Sequence, residues 1–336
     1  MFGFSLQAKL SVASLTWRSW ICPGTAALVV CPAGGSLRCL PSLRDLDLSC
    51  NKHLSGGLER LASHLAHLTH LEVLDLHLCC LTPADLEALI QVLPSLTALV
   101  ELDVSSNKEA GGVVHQLVSA LQLTQMRRLP LSSCRLSQES FTALAAAEET
   151  CCMMMMMMMA SPCVSALAAP YLRSLDVSWC KVVGGRLPLL LDALQPSVIL
   201  ELRLCSCDLI TSDLRHLADV CHRGCLSSLR VLDLSYNGSV GDAGWSALFA
   251  AGGLGSLEEA DLSLRPSTSA SCSAWLPALL LALPRMPALA RLAMRRWSAG
   301  PQEWRQLKYG AKSRNVQLEL DQNLPESEWK AAEPEE

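Results

Sequence analysis

A short phrase, with apolar residues at steps 1, 4 and 6, returns nine times along this chain of 336 residues. It is carried by Leu43, Leu46 and Leu48; by Leu71, Leu74 and Leu76; by Leu99, Leu102 and Val104; and by Met126, Leu129 and Leu131. It continues through Leu172, Leu175 and Val177; Ile199, Leu202 and Leu204; Leu229, Leu232 and Leu234; and Leu257, Ala260 and Leu262. Leu289, Leu292 and Met294 form a weaker ninth copy, and Val316, Leu318 and Leu320 read as a closing strand. Successive middle positions lie 28, 28, 27, 46, 27, 30, 28 and 32 residues apart. A fixed period of this size marks a solenoid, because one such unit cannot bury its apolar face alone and must stack on its neighbours.

Within each period the alternation of apolar residues has the two-residue step of a half-buried strand. The second half has helical spacing, as in Leu58, Leu61, Leu65 and Leu68, or Leu86, Leu89, Ile90 and Leu93. The expected fold is therefore an α/β solenoid of about nine units. Its parallel strands would line the concave side and its helices the convex side of a horseshoe. The 46-residue interval exceeds the period by 18, and removing residues 148–165 restores the register. That segment holds Met153 to Met159 in an unbroken run and is expected to loop out as a low-complexity insert.

Three residues after the third apolar position stands a small polar or thiol residue: Asn51, Cys79, Asn107, Cys134, Cys180, Cys207 and Asn237. Together with the period, this pattern resembles the ribonuclease-inhibitor type of leucine-rich repeat, over roughly residues 37–147 and 166–322. The resemblance implies that these side chains turn inward and satisfy backbone groups of the ascending loop, where water is excluded. The family alternates Asn with Cys, and the alternation fails here at Cys134, Cys180 and Cys207. The sequence thus divides into an unassigned segment 1–36, read as truncated or mis-joined, a repeat region 37–322 and an acidic tail 323–336.

Sixteen cysteines invite a disulfide reading. Those on the inward ladder each fill a packing position in their own turn, and buried thiols behave as small hydrophobes. Free thiols in that number point to a reducing, cytoplasmic compartment. Cys205 and Cys207 with Cys221 and Cys225 are the tightest cysteine constellation. A helix of about nine residues, some 13 Å long, separates the two pairs, so no zinc site is expected. Phosphate-binding glycine loops and the nucleophile elbow of hydrolases are missing from the sequence. No enzyme activity, cofactor or metal is expected. Residues 151–171 lack charge, but repeats of one type flank them, so no membrane span is expected.

Residues between the buried leucines face the other way along each strand. They put Asp47, Asp75 and Asp103 in one column, continued by Asp176, Arg203, Asp233 and Asp261, with Glu101 and Glu201 in the column beside it. His77 follows Asp75, and Trp179 and Tyr236 occupy one post-strand position in different repeats. These twelve residues are the expected partner-binding set on an acidic concave face suited to a protein with a basic surface. Trp245, Trp297 and Trp304 are expected on the helical side. Thr211-Ser-Asp-Leu214 and Gly241-Asp-Ala-Gly-Trp245 are expected to start helices, with Ser or Asp as caps. Residues 285–314 carry eight basic residues and one acid, about +7 in a chain whose formal net charge is −5. A pI of 5.9 and few aromatics argue against nucleic acid as the ligand. The favoured reading is a non-catalytic interaction scaffold. The alternatives are the repeat portion of a nucleotide-binding innate-immune receptor and a ribonuclease-inhibitor-like protein.

Overall fold

The computed structural model describes residues 19–21, 42–145 and 170–321. The insert at 148–165, the tail 323–336 and all of segment 1–36 except three residues lie outside the described residues. Each apolar phrase forms a three-residue strand whose centre is its second apolar residue. In chain order these are β1 (Ser19–Ile21), β2 (Asp45–Asp47), β3 (Val73–Asp75), β4 (Glu101–Asp103), β5 (Arg128–Pro130), β6 (Ser174–Asp176), β7 (Glu201–Arg203), β8 (Val231–Asp233) and β9 (Glu259–Asp261). They are followed by β10 (Ala270–Ser271), β11 (Arg291–Ala293), β12 (Trp297–Ser298) and β13 (Gln317–Glu319). All but β10 and β12 join one parallel sheet of 11 strands in sequence order, and β10 pairs with β12 at the side.

The helices fill the second half of each period. They are α1 (Leu58–Leu65), α2 (Pro83–Val92), α3 (Val114–Ala120), α4 (Gln138–Ala145), α5 (Leu187–Ala193), α6 (Thr211–His222), α7 (Asp242–Ala251), α8 (Leu276–Ala282) and α9 (Pro301–Lys312). One continuous core runs between sheet and helices, and Leu46, Leu74, Leu175 and Leu202 are fully buried in it. A strand of three residues is far too short to persist alone; its burial on both flanks by identical neighbours stabilises it.

Two findings refine the reading of the sequence. Trp20 pairs in register with Leu46, so a strand precedes the first recognised phrase inside the segment left unassigned. Leu129 pairs with Leu175 across the 46-residue interval as neatly as the other neighbours do, so the extra residues leave the register unchanged.

The ladder of inward side chains explains why the loops are ordered. Asn107 Oδ1 accepts from the backbone N–H of Cys79 and of Leu81, both at 3.1 Å. Its Nδ2 donates to the carbonyls of Leu76, Val104 and Ser105 at 2.8, 3.0 and 3.2 Å. Asn237 repeats this set on Cys207, Leu209, Leu204, Leu234 and Ser235. Thiols do a thinner version: Cys79, Cys134 and Cys207 donate to the carbonyls of Leu48, Val104 and Val177 at 3.1 to 3.2 Å. Burial pushes Cys79 and Cys134 up to about 12, so both stay protonated donors.

The loops also show that the two-unit alternation survives where the residue pattern breaks. Short 3-10 turns follow Asn51, Asn107 and Cys180, at 52–54, 108–112 and 181–183. After Cys79, Cys134 and Cys207 the next residue instead takes a left-handed conformation, with φ of 54°, 51° and 55°. Cys134 and Cys207 are therefore in phase, and Cys180 alone stands where the rhythm calls for Asn.

Trp297 corrects an expectation. It occupies the ladder place of its unit rather than the helical side, and its indole N–H donates 2.7 Å to the Leu262 carbonyl. It packs edge-on to Trp275 and Trp245, at 5.0 and 5.9 Å between centroids. Trp245 on α7 and Trp304 on α9 are buried on the helical side as expected. The helix start at α6 is also corrected: Ile210 takes the cap position, and Asp213 reaches back to accept from its N–H at 2.9 Å. At α7 the cap is Gly241, with Asp242 in the first turn.

Candidate partner-binding face

The strand register builds the outward columns that the sequence suggested. Asp47, Asp75 and Asp103 are direct neighbours on β2, β3 and β4, and Asp176, Arg203, Asp233 and Asp261 are neighbours on β6 to β9. Pro130 on β5 interrupts the column between them. Adjacent strands are about 4.8 Å apart, so like charges in such a row repel.

Every one of these aspartates also has a structural task that the alternation alone did not reveal. The Oδ1 atoms of Asp47, Asp75, Asp103, Asp176, Asp233 and Asp261 accept from the backbone N–H two residues on, at 2.8 to 2.9 Å. This side-chain turn closes the strand as its chain bends into the ascending loop. One carboxylate oxygen of each is used in this turn. Burial raises the Asp75 carboxyl above its ordinary range, the His77 N–H opposes this, and Asp103 and Asp47 add to it. Asp233 is raised in the same way, mainly by burial. Glu101 is raised by burial, against the pull of Arg128 at 3.2 Å.

The two ends of the face differ in their counter-charges. Among the described residues no lysine or arginine forms an ion pair with Asp47, Asp75 or Asp103. From β7 onward cations interleave. Arg203 lies between Asp176 and Asp233 in register and 3.8 Å from Glu201. Arg291 reaches Glu259 at 3.7 Å and Glu319 at 2.7 Å, and Arg295 reaches Glu319 at 2.8 Å. Arg285 donates to the Phe249 carbonyl at the end of α7. Much of the basic excess near the C-terminus is thus used within the fold.

His77 sits in the uncompensated part. Its Nδ1 is 2.7 Å from Ser105 Oγ, which is 2.5 Å from Asp103 Oδ1. The Ser105 hydroxyl donates its one hydrogen to the Asp103 carboxylate, so Nδ1–H of His77 donates to Oγ.

Trp179 and Tyr236 come together, although the sequence separates them by a whole unit. Their ring centroids are 6.1 Å apart in an edge-to-face arrangement. Both residues, like the buried Ser206, are left-handed, with φ of 64°, 63° and 53°. Trp179 remains 50% exposed. No sequence pattern pointed to the third member, Arg265. It stands at the ladder place of the eighth phrase, where a charge cannot be buried unpaired. Instead it swings out, donates 2.6 Å to Ser206 Oγ and places its guanidinium 6.0 Å from the Trp179 ring centroid.

Cys205 of the cysteine constellation is only 8% exposed. No group of three or more His, Cys, Asp or Glu among the described residues is arranged to hold a metal ion. No described helix is long and apolar enough to cross a membrane.

The family described as "Leucine Rich repeat" matches at residues 67–89, 168–186 and 225–249. The ribonuclease inhibitor of Sus scrofa is 42% identical over 105 residues, which is 30% of this chain and 23% of that protein. The match therefore spans under a quarter of that relative's length. Among solved structures, an internalin from Listeria monocytogenes aligns over 88% of this chain and 74% of its own, at 15% identity and a TM-score of 0.44. The tropomodulin C-terminal domain of Caenorhabditis elegans aligns over 42% of this chain and 83% of its own, at 16% identity and a TM-score of 0.35. The stacked parallel strands, the inward Asn and Cys ladder and the matched segments make the chain similar to leucine-rich repeat proteins, and over 105 residues to a ribonuclease inhibitor.

Proposed function

We propose that the chain is a non-catalytic scaffold that holds a protein partner with a basic surface on its strand face, the concave side expected from the sequence. The observation that carries this reading is the row Asp47, Asp75 and Asp103, three stacked carboxylates with no cation paired to them among the described residues. A fold loses stability by keeping such a row, and a basic partner would convert that cost into attraction. Trp179, Tyr236 and Arg265 would anchor the other end at the rim, where half-exposed aromatic and arginine side chains give the largest binding energies. Glu101, Asp176, Glu201, Arg203, Asp233 and Asp261 would set the register between the two ends.

The test is direct titration of a captured partner with a variant carrying Asp47→Asn, Asp75→Asn and Asp103→Asn. Asparagine keeps the Oδ1 acceptor for each turn, so the fold is retained while three charges go. Affinity should fall at least about tenfold at low ionic strength and lose most of its salt dependence. Equal binding by both proteins would remove the electrostatic reading. Trp179→Ala, tested separately, should cost about 2 kcal/mol if the rim is an anchor.

The identity to ribonuclease inhibitor favours a second, narrower reading, in which the partner is a ribonuclease. A direct inhibition assay decides it. Undiminished ribonuclease activity at saturating concentrations of the chain would leave the general scaffold reading standing and discard this one.

A further inference from the structure

The eighth unit carries surplus chain at the rim. Ala260 and Leu292 are 32 residues apart, whereas Leu232 and Ala260 before them are 28 apart. The excess falls between Leu264 and Cys272, both buried, and it projects: every residue from Pro266 to Ser271 is exposed. A turn opens this segment. Thr268 N–H donates 2.9 Å to the Arg265 carbonyl, and Thr268 Oγ1 donates 3.0 Å to the same oxygen. Pro266 and Ser267 are the two corners of the turn, and proline suits the first because its φ is already set. The Thr268 hydroxyl is thus engaged, and Ser271 Oγ accepts from Ser273 N–H at 3.3 Å. Ser267 stands at the tip, and its hydroxyl has no hydrogen-bond partner among the described residues.

Two arginines flank that hydroxyl. Arg265 precedes it by two residues and lies over Trp179, 2.6 Å from Ser206 Oγ and 3.9 Å from Asp208. Arg296, from the next unit, donates from Nε to the Thr268 carbonyl at 3.2 Å and is 3.8 Å from Asp321. Both ion pairs are long and part-exposed, so Asp208 and Asp321 hold their guanidiniums weakly. A phosphate ester would hold them better. It brings a charge of about −1.5 to −2 and three acceptor oxygens, which a guanidinium meets with two parallel bonds.

We propose that Ser267 is a phosphorylation site, and that Arg265 and Arg296 close on its phosphate, drawing Arg265 off the Trp179 ring. A protein kinase supplies the chemistry. Ser267 Oγ bonds to the γ-phosphorus of ATP, the bond from that phosphorus to its bridging oxygen breaks, ADP leaves, and the hydroxyl proton passes to a carboxylate of the kinase. An exposed hydroxyl two places after an arginine suits an acid-lined kinase cleft. The turn is held by the two Thr268 bonds, so it opens locally at little cost. With Arg265 withdrawn, the rim loses a cation, gains an anion and bares an indole face to a cation of the partner. That last step rests on the reading of Trp179 as a rim anchor, which Trp179→Ala tests in the unmodified chain. Phosphate capture does not rest on it, so the two can fail separately.

Tests on the full chain separate the site from the capture. Incubated with ATP, Mg²⁺ and the catalytic subunit of a serine kinase selective for basic sites, the chain should take up phosphate at Ser267. Peptide mass spectrometry reads this, and Ser267→Ala should abolish it. Uptake at Thr268 or Ser269 instead, or none, overturns the site. With phosphoserine placed at position 267 during translation, ³¹P NMR should put the second phosphate ionisation about one pH unit below its ordinary value of about 6. An Arg265→Gln, Arg296→Gln double variant should restore the ordinary value. An unshifted ionisation, or one that the double variant leaves shifted, overturns the capture. The indole N–H resonance of Trp179, assigned by its loss in Trp179→Phe, should move on phosphorylation with both arginines intact, which covers the case of a misfolded double variant. A resonance that stays in place overturns the withdrawal of Arg265.

Discussion

Replacing Cys180 by Asn should stabilise the protein. Loop conformation places position 180 in phase with Asn51 and Asn107, yet the side chain there is a thiol. Asn107 makes five hydrogen bonds, two of them to the N–H groups of Cys79 and Leu81 in the preceding unit. At Cys180 the matching N–H groups, of Cys134 and Leu136, face a sulfur atom, and burial holds that thiol protonated, with a value pushed up to about 11. The thiol gives back one long donation, 3.5 Å to the Leu131 carbonyl. An amide of nearly the same size would restore two acceptor bonds and shorten at least one donor bond. At about 0.5–1.5 kcal/mol net for each, and less a small packing cost, the gain is about 1–3 kcal/mol. In a chain of this size that raises the melting temperature by a few degrees. Urea denaturation followed by tryptophan fluorescence and by circular dichroism measures it, with coincident transitions required because stacked repeats can unfold in parts. The reverse change, Asn107→Cys, should cost about 2–4 kcal/mol, since it strips partners from buried N–H groups. If Cys180→Asn is neutral or destabilising while Asn107→Cys is costly, the phase assignment of the fifth phrase is wrong.

Three further outcomes follow from the same ladder and face. Asp85, 1% exposed, accepts from the N–H groups of Gly56, Leu58 and Thr82, so Asp85→Ala should cost about 3–4 kcal/mol in urea denaturation. Burial opposes ionisation of Asp85, but these donors and the Thr82 hydroxyl outweigh it and hold the folded carboxyl below its ordinary value. Its contribution is therefore complete above about pH 4 and is lost as the pH falls through that lower value, and acid titrations of Asp85→Asn should show a flatter decline there. Asp75 has the opposite sign: its folded value is raised, so ionised Asp75 costs stability at neutral pH and the cost fades on acidification. Asp75→Asn should then be neutral to about 1 kcal/mol stabilising at pH 7 and indistinguishable from the parent below pH 4. Finally, thiol labelling of the native protein with peptide mapping should modify exposed Cys50 and Cys80 first among the described cysteines. Cys79, Cys134 and Cys207 should wait for unfolding.

How much of this was legible beforehand depends on whether a residue's role is local. Period, strand centres and core leucines were readable, because stacking imposes the same environment on every copy and selects the same residue type. The outward position of Asp47, Asp75 and Asp103 was readable for the same reason. Their turn-closing bonds were not, since alternation gives direction and not hydrogen-bond partners. Asp85 escaped notice although Thr82-Pro-Ala-Asp85 has the spacing of a capping pair; its extra donors, the N–H groups of Gly56 and Leu58, come from the unit before.

The sequence by itself determined the architecture: a leucine pattern on a clock of about 28 residues has no way to bury its apolar faces except by piling parallel strands against helices. Only the tertiary structure decided which ladder side chains hold their loops, that Trp297 turns inward, and that Arg265 leaves its place to lie over Trp179. These outcomes depend on distances between units 28 to 86 residues apart, set by how neighbouring turns stack. No pattern within one unit encodes them.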